Sequence, residues 1–110
     1  MRNKVFTLLS VAALSILAAS PSMAYDRHVM FENDYDASVV RIFATNVHDG
    51  SWGSNLLHGR IPPGGSRYLD LNDYSGLCIY DVKVVASDRS VDIRKFNACS
   101  ETTFYFSGNN

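Results

Sequence analysis

The chain has 110 residues, including ten Lys or Arg, eleven Asp or Glu and two Cys, and a formal net charge of −1. From residue 25 onward, eight basic residues face all eleven acidic ones, a net charge of −3. This balance, without any cluster of Lys or Arg, argues against a nucleic acid as partner, and the length allows one small domain but not two.

Residues 1–24 have the pattern of a secretory signal peptide. Arg2 and Lys4 precede an apolar run over residues 5–19, and Ser22-Met23-Ala24 places small residues where a signal peptidase cuts. The run is shorter than the roughly 20 apolar residues that a membrane-spanning helix needs. We therefore expect cleavage near Ala24, a single mature domain over residues 25–110 without a membrane span, and a periplasmic or extracellular location.

Alternating polar and apolar residues predict six strands in the mature chain. The longest run, residues 77–86, places Cys78, Tyr80, Val82, Val84 and Ala86 on an inward face and Asp81 and Lys83 on the other. The short turn after the first strand predicts a hairpin with the second, and the tail over 107–110 is expected to be loose. The predicted strands cover residues 27–33, 38–45, 66–71, 77–86, 91–96 and 102–106.

Six strands without a helical period predict an all-β domain, most simply a small antiparallel β-sandwich of about six to seven strands. In an exported chain of this size, two cysteines are expected to pair. We therefore predict a disulfide between Cys78 and Cys99.

Residues 48–65 form the most irregular segment, with five of the seven glycines, two of the three prolines and the only tryptophan. Trp52 has two interpretations. It closes one end of the core together with Leu56 and Leu57, which is the favoured reading, or it forms an exposed aromatic platform with Tyr74 and Tyr35 for a peptide, a glycan or a protein of the cell envelope.

Four blocks of sequence resemble a group of small, functionally uncharacterised exported bacterial proteins with a β-sandwich-like fold. The resemblance implies fold and export, and it implies no activity or ligand. Where members of the group have Asp-Gly after the central strand, this chain has Ser87-Asp88-Arg89-Ser90, so the type of that turn is open. The blocks are W-G-x-x-L-L from Trp52, P-P-G-x-S from Pro62, C-x-Y-D-V-K-V from Cys78, and N-x-C from Asn97.

Two other functions stay open. His48 and His58 could serve a small hydrolase with Asp49 and Ser51, although the Gly-x-Ser-x-Gly motif of many hydrolases is missing. Aspartates at strand ends and turns could bind calcium, although no Asp-x-Asp-x-Asp-Gly loop is present, and a zinc pair of His48 and His58 lacks a third ligand. The aspartates concerned are Asp34, Asp36, Asp49, Asp70, Asp73, Asp81 and Asp88.

The sequence as a whole favours a non-enzymatic binding or structural accessory protein of the cell envelope, without a cofactor or metal. Its predicted partner is a protein, peptide or glycan of the envelope. The candidate binding residues are Trp52, Tyr74 and Tyr35.

Overall fold

The computed structural model describes residues 26–109, so the predicted signal peptide, Tyr25 and Asn110 lie outside the described residues. Every predicted strand is present to within two residues at each end, and no described helix is long and apolar enough to cross a membrane. The strands are β1 (His28–Asn33), β2 (Val39–Asn46), β3 (Ser66–Asp70), β4 (Ile79–Ala86), β5 (Val91–Asn97) and β6 (Thr103–Phe106).

The strands form two three-stranded sheets, so the all-β prediction is confirmed. The first sheet has the order β3-β1-β6 and the second the order β2-β4-β5. β1 pairs antiparallel with β3 but parallel with β6, so the expectation of a wholly antiparallel arrangement is wrong. A parallel pair needs a long connection, and β1 and β6 lie near opposite ends of the described chain.

The predicted hairpin of β1 and β2 is also wrong, because the two strands belong to different sheets. β3 and β6 occupy both edges of β1, and the amide of Asp34 donates to the carbonyl oxygen of Phe106 at 2.8 Å. No edge of β1 is left for β2. The short turn therefore carries the chain from one sheet into the other.

One hydrophobic cluster draws side chains from both sheets. Val29 and Phe31 come from β1, while Tyr80, Val82 and Val84 come from β4, and none of the five is more than 2% exposed. Burying an apolar side chain of this size stabilises the fold by about 1.5–3 kcal/mol. The inward face predicted for the central strand is confirmed.

A β-bulge changes which residues of β2 face the core. Strict alternation places Val39 and Ile42 on opposite faces, yet they are 1% and 0% exposed. The register shifts between Val39 and Arg41, and the extra residue brings both side chains inward.

The disulfide between Cys78 and Cys99 is confirmed. It joins the residue before β4 to the link between β5 and β6, with 5.2 Å between the two Cα atoms. Beside it, the amide of Ala98 donates to the carbonyl oxygen of Cys78 at 2.9 Å.

The C-terminal segment is packed rather than loose over its described part, residues 107–109. Gly108 is buried under the ring of Tyr35, whose atoms would lie 2.6 Å from a Cβ at position 108. The amide of Val91 donates to Oδ1 of Asn109 at 2.8 Å. The hydrogen bond therefore connects the start of β5 to the residues that follow β6.

Candidate functional site

The irregular segment after β2 is fixed along the edge of that strand. Oδ1 of Asn55 accepts hydrogen bonds from the amides of Ile42 at 2.9 Å and Leu57 at 3.0 Å. The amide of Leu56 donates to the carbonyl oxygen of Ile42 at 2.8 Å, and Leu57 is 3% exposed. These bonds cover part of the β2 edge and hold the neighbouring Trp52 in place.

Trp52 lies on the outer face of the second sheet, the face turned away from the hydrophobic cluster. Among the described residues, that cluster includes Leu57 and, at its margin, Leu56, but not Trp52, so the interpretation of Trp52 as a lid on the core is wrong. Nζ of Lys83 lies 5.1 Å from the centre of the Trp52 ring and 5.0 Å from that of Phe43. The ammonium group thus contacts two aromatic rings, an arrangement that fixes the indole by cation-π attraction.

A cleft lies beside the indole, and we call it the Trp52 cleft. Its volume is about 210 Å³. Thr45 and Asp81 are cross-strand partners on β2 and β4, while the remaining lining residues come from the loop. The lining residues are Thr45, Asp49, Gly50, Ser51, Trp52 and Asp81.

The charges at the Trp52 cleft are largely paired. Asp81 accepts a hydrogen bond from Nζ of Lys95 at 3.0 Å, and Lys83 lies against the indole. Oδ1 of Asp49 accepts a hydrogen bond from the amide of Ser51 at 3.3 Å, which fixes the loop backbone at this point. The cleft therefore offers hydroxyl and carboxylate groups beside one large ring, with little net charge.

Trp52, Tyr74 and Tyr35 are not brought together as one platform. Tyr74 is 91% exposed and follows Asp73, which bonds to Tyr80 near the start of β4. Tyr35 donates to Asp88 at 2.5 Å beyond the other end of β4 and meets Phe106 edge to face. Six residues of extended chain from Tyr80 to Ala86 span about 20 Å, so the three rings do not form one platform.

The hydrogen bond to Asp88 also raises the pKa of Tyr35, since it stabilises the neutral phenol beside a carboxylate. Together with the contacts to Phe106 and Gly108, this bond gives Tyr35 a structural role.

His48 and His58 both lie exposed in the loop. The amide of His48 donates to Oδ1 of Asn46 at 2.9 Å, and the carbonyl oxygen of His58 accepts from Arg67 at 2.8 Å. Both contacts are made by the backbone, so they hold the loop and leave the imidazoles in solvent.

Most of the turn aspartates form side-chain hydrogen bonds with the backbone of their own turn. Oδ1 of each accepts a hydrogen bond from the amide two residues ahead, the bond that makes Asp frequent in turns. Within residues 26–109 no three His, Cys, Asp or Glu side chains form a group that could hold a metal ion. The aspartates with this bond are Asp49, Asp70, Asp73 and Asp88.

Sequence reasoning missed Phe43, Thr45 and Lys95 as members of this site. Alternation along β4 had placed Asp81 and Lys83 on its outward face. The same rule places Phe43 and Thr45 on one face of β2, and Lys95 on one face of β5. What was missing was the pairing of β2 with β4, which only the register supplies.

Comparisons of the chain with models of protein families, with curated proteins and with solved structures found no match.

Proposed function

We propose that residues 25–110 form a disulfide-linked β-sandwich that is exported to the periplasm or the exterior, and that it acts as a non-enzymatic binding protein of the cell envelope. The ligand at the Trp52 cleft is a short neutral saccharide. The observation that carries this proposal is the half-buried indole of Trp52, fixed on the outer face of the second sheet beside hydroxyl and carboxylate groups.

The chemistry of the lining favours a saccharide. A pyranose ring has an apolar face of C–H groups that can stack on an indole, and a rim of hydroxyls that donate and accept hydrogen bonds. Thr45 and Ser51 supply hydroxyls, and Asp49 supplies a carboxylate acceptor. Few other small ligands need both kinds of contact at once.

The charge and the volume of the Trp52 cleft narrow the choice of ligand further. With Asp81 paired to Lys95 and Lys83 held against Trp52, the cleft has no surplus charge with which to select a cation or an anion. Its volume of about 210 Å³ is smaller than a typical drug-sized pocket, roughly 300–1,000 Å³. One sugar ring of a short oligosaccharide suits this space.

Because Trp52 is the only tryptophan, its fluorescence reports on this site alone. The mature chain is titrated with N,N′-diacetylchitobiose, cellobiose and maltotriose, up to millimolar concentrations. We expect at least one of them to change the emission in a saturable way.

Variants test whether the saccharide binds at the Trp52 cleft. Thr45→Val removes a hydroxyl while keeping the shape of the side chain, and should weaken the binding of that saccharide. Tyr68→Ala, which removes an exposed aromatic side chain on β3 of the other sheet, should leave the binding unchanged. Absence of a saturable response to all three saccharides, together with hydrolysis of a model ester that is lost in His48→Ala/His58→Ala, would replace this proposal by a hydrolase.

A further inference from the structure

The outer face of the first sheet carries a second set of exposed aromatic residues. β1 lies between β3 and β6, and because Val29 and Phe31 are buried, Met30 points outward. The register places Tyr68 of β3 beside Met30 and Tyr105 of β6 beside Glu32. We call the surface formed by Met30, Glu32, Tyr68, Asp70 and Tyr105 the tyrosine face.

The two tyrosines are strongly exposed for aromatic residues on strands. Tyr68 is 56% and Tyr105 is 55% exposed, and Tyr68 meets the ring of His28 at 5.4 Å on the same surface. Large aromatic side chains that contribute little to the core are the residues that most often dominate protein interfaces. Their position on a rigid sheet keeps them preorganised.

Carboxylates outnumber basic groups on this face. Glu32 and Asp70 lie on it, Asp26 lies at its rim, and the outward positions of β1, β3 and β6 carry neither Lys nor Arg. The basic group on the face itself is His28, whose Nδ1 lies 2.6 Å from Asp26 and whose Nε2 lies 3.8 Å from Asp70. At its edge Arg94 donates to the carbonyl oxygen of Tyr105 and is paired with Asp92. The tyrosine face thus differs from the Trp52 cleft, where lysines balance the carboxylates.

We propose that the tyrosine face docks an arginine-bearing basic surface of a partner protein. Guanidinium groups pair with carboxylates in a bidentate way and also stack on aromatic rings, so arginine uses both features of this face. Nucleic acids and anionic lipids are repelled by the same carboxylates. A second copy of the chain docked through this face would set Glu32 and Asp70 against like charges.

This inference does not rest on the saccharide proposal, because the two surfaces belong to different sheets. The test uses the isotope-labelled mature chain with its disulfide intact, titrated with a synthetic peptide of four Gly-Arg-Ser repeats and followed by amide and side-chain chemical shifts. A matched peptide with Glu in place of Arg is the control. We expect saturable shifts centred on Met30, Tyr68 and Tyr105 with the arginine peptide, weakened by added salt.

Two variants distinguish binding of the arginine peptide at the tyrosine face from a general attraction of that peptide to an acidic protein. Tyr68→Ala/Tyr105→Ala should weaken binding about tenfold or more, as for the loss of interface hot spots. Tyr74→Ala removes a still more exposed tyrosine outside this face and should have no effect. The saccharide response of Trp52 should be unchanged in Tyr68→Ala/Tyr105→Ala, because both residues belong to the other sheet.

Four results would overturn the inference. These are the absence of shifts on the tyrosine face, equal binding of the glutamate peptide, equal effects of the Tyr68→Ala/Tyr105→Ala and Tyr74→Ala variants, and a dimer in sedimentation that Tyr68→Ala/Tyr105→Ala dissociates. The last result would assign the face to a second copy of the chain.

Discussion

The side-chain amide of Asn33 donates a hydrogen bond to the carbonyl oxygen of Ile61, 3.0 Å away, from a position with no exposed surface. The same nitrogen donates to the carbonyl oxygen of Ala37 at 2.8 Å, and Oδ1 accepts from the amide of Tyr35 at 3.0 Å. One buried side chain thus supports the turn from the first sheet to the second and the loop that bridges to β2.

Replacement of Asn33 by Leu should destabilise the domain strongly. The change removes three hydrogen bonds at a fully buried position, and the part-buried carbonyl oxygen of Ala37 and amide of Tyr35 lose this partner, so we expect a loss of about 2–4 kcal/mol in the free energy of unfolding. Chemical denaturation measures this loss of unfolding free energy. Asn72→Ala removes a single bond in an exposed turn and should cost about 1 kcal/mol, and equal losses in the two variants would contradict this role of Asn33.

Gly108→Ala should be destabilising although it lies near the end of the chain. The new Cβ would lie 2.6 Å from Cε1 of Tyr35, and the φ angle of +98° is one that residues with a side chain rarely adopt. A loss of about 1–3 kcal/mol is expected in thermal or chemical unfolding. Gly50→Ala meets no atom within 4 Å and should be tolerated. A neutral Gly108→Ala variant would mean that the C-terminal segment does not pack in solution.

Arg89→Gly should stabilise the protein. Arg89 has a φ angle of +76° in the turn between β4 and β5, where left-handed backbone costs a non-glycine residue about 1 kcal/mol. Glycine relieves this strain but makes the unfolded chain more flexible, so a net gain of about 0.5 kcal/mol is expected. Ser87→Gly, without positive φ, should instead destabilise, and a lower melting temperature for Arg89→Gly would disprove the argument.

Asp73 should make the domain sensitive to acid. Partial desolvation of the carboxylate acts to raise its pKa, but hydrogen bonds from Asn46, Ser75 and Tyr80 outweigh that effect and lower the pKa from 3.8 to about 2. The stability from these bonds is therefore complete above about pH 4 and is lost as the pH falls through 2.

Unfolding of Asp73→Asn should show a smaller loss of stability between pH 4 and pH 2 than the unmodified protein does. Asp36→Asn, an exposed residue away from this cluster, is the control. If both variants follow the pH profile of the unmodified chain, the bonds to Asp73 do not form in solution.

Reduction of the disulfide between Cys78 and Cys99 should lower the melting temperature. The cysteines are 21 residues apart, and chain-entropy models give about 3 kcal/mol for a loop of this length. In a domain of this size that corresponds to a shift of about 12–24 °C. Calorimetry with and without reductant, beside a thiol assay of the native protein, checks the prediction; free thiols in the native state would contradict it.

The six strands and the inward face of the central one were predictable because alternation is a local property. Along residues 77–86 each side chain is assigned to a face by its neighbours alone, and the burial of Tyr80, Val82 and Val84 then confirms them as core. The disulfide was predictable because two cysteines permit one pairing.

The partners of each strand were not predictable in this way. The short turn after β1 favoured a hairpin, but β1 pairs with β3 and β6 instead, and a choice between distant strands depends on which apolar faces can be buried together. The same holds for the bulge in β2, which brings Val39 and Ile42 to one side.

The candidate site likewise has features that the sequence predicted and features that it did not. The sequence by itself determined that Trp52 lies in an irregular segment and that Asp81 and Lys83 point away from the core, since both follow from neighbouring residues. Only the tertiary structure decided that the indole rests on Lys83 beside Thr45, and that Tyr74 and Tyr35 lie near opposite ends of β4. Those contacts join residues far apart in the chain, and they depend on strand register and on the hydrogen bonds that hold the loop to β2.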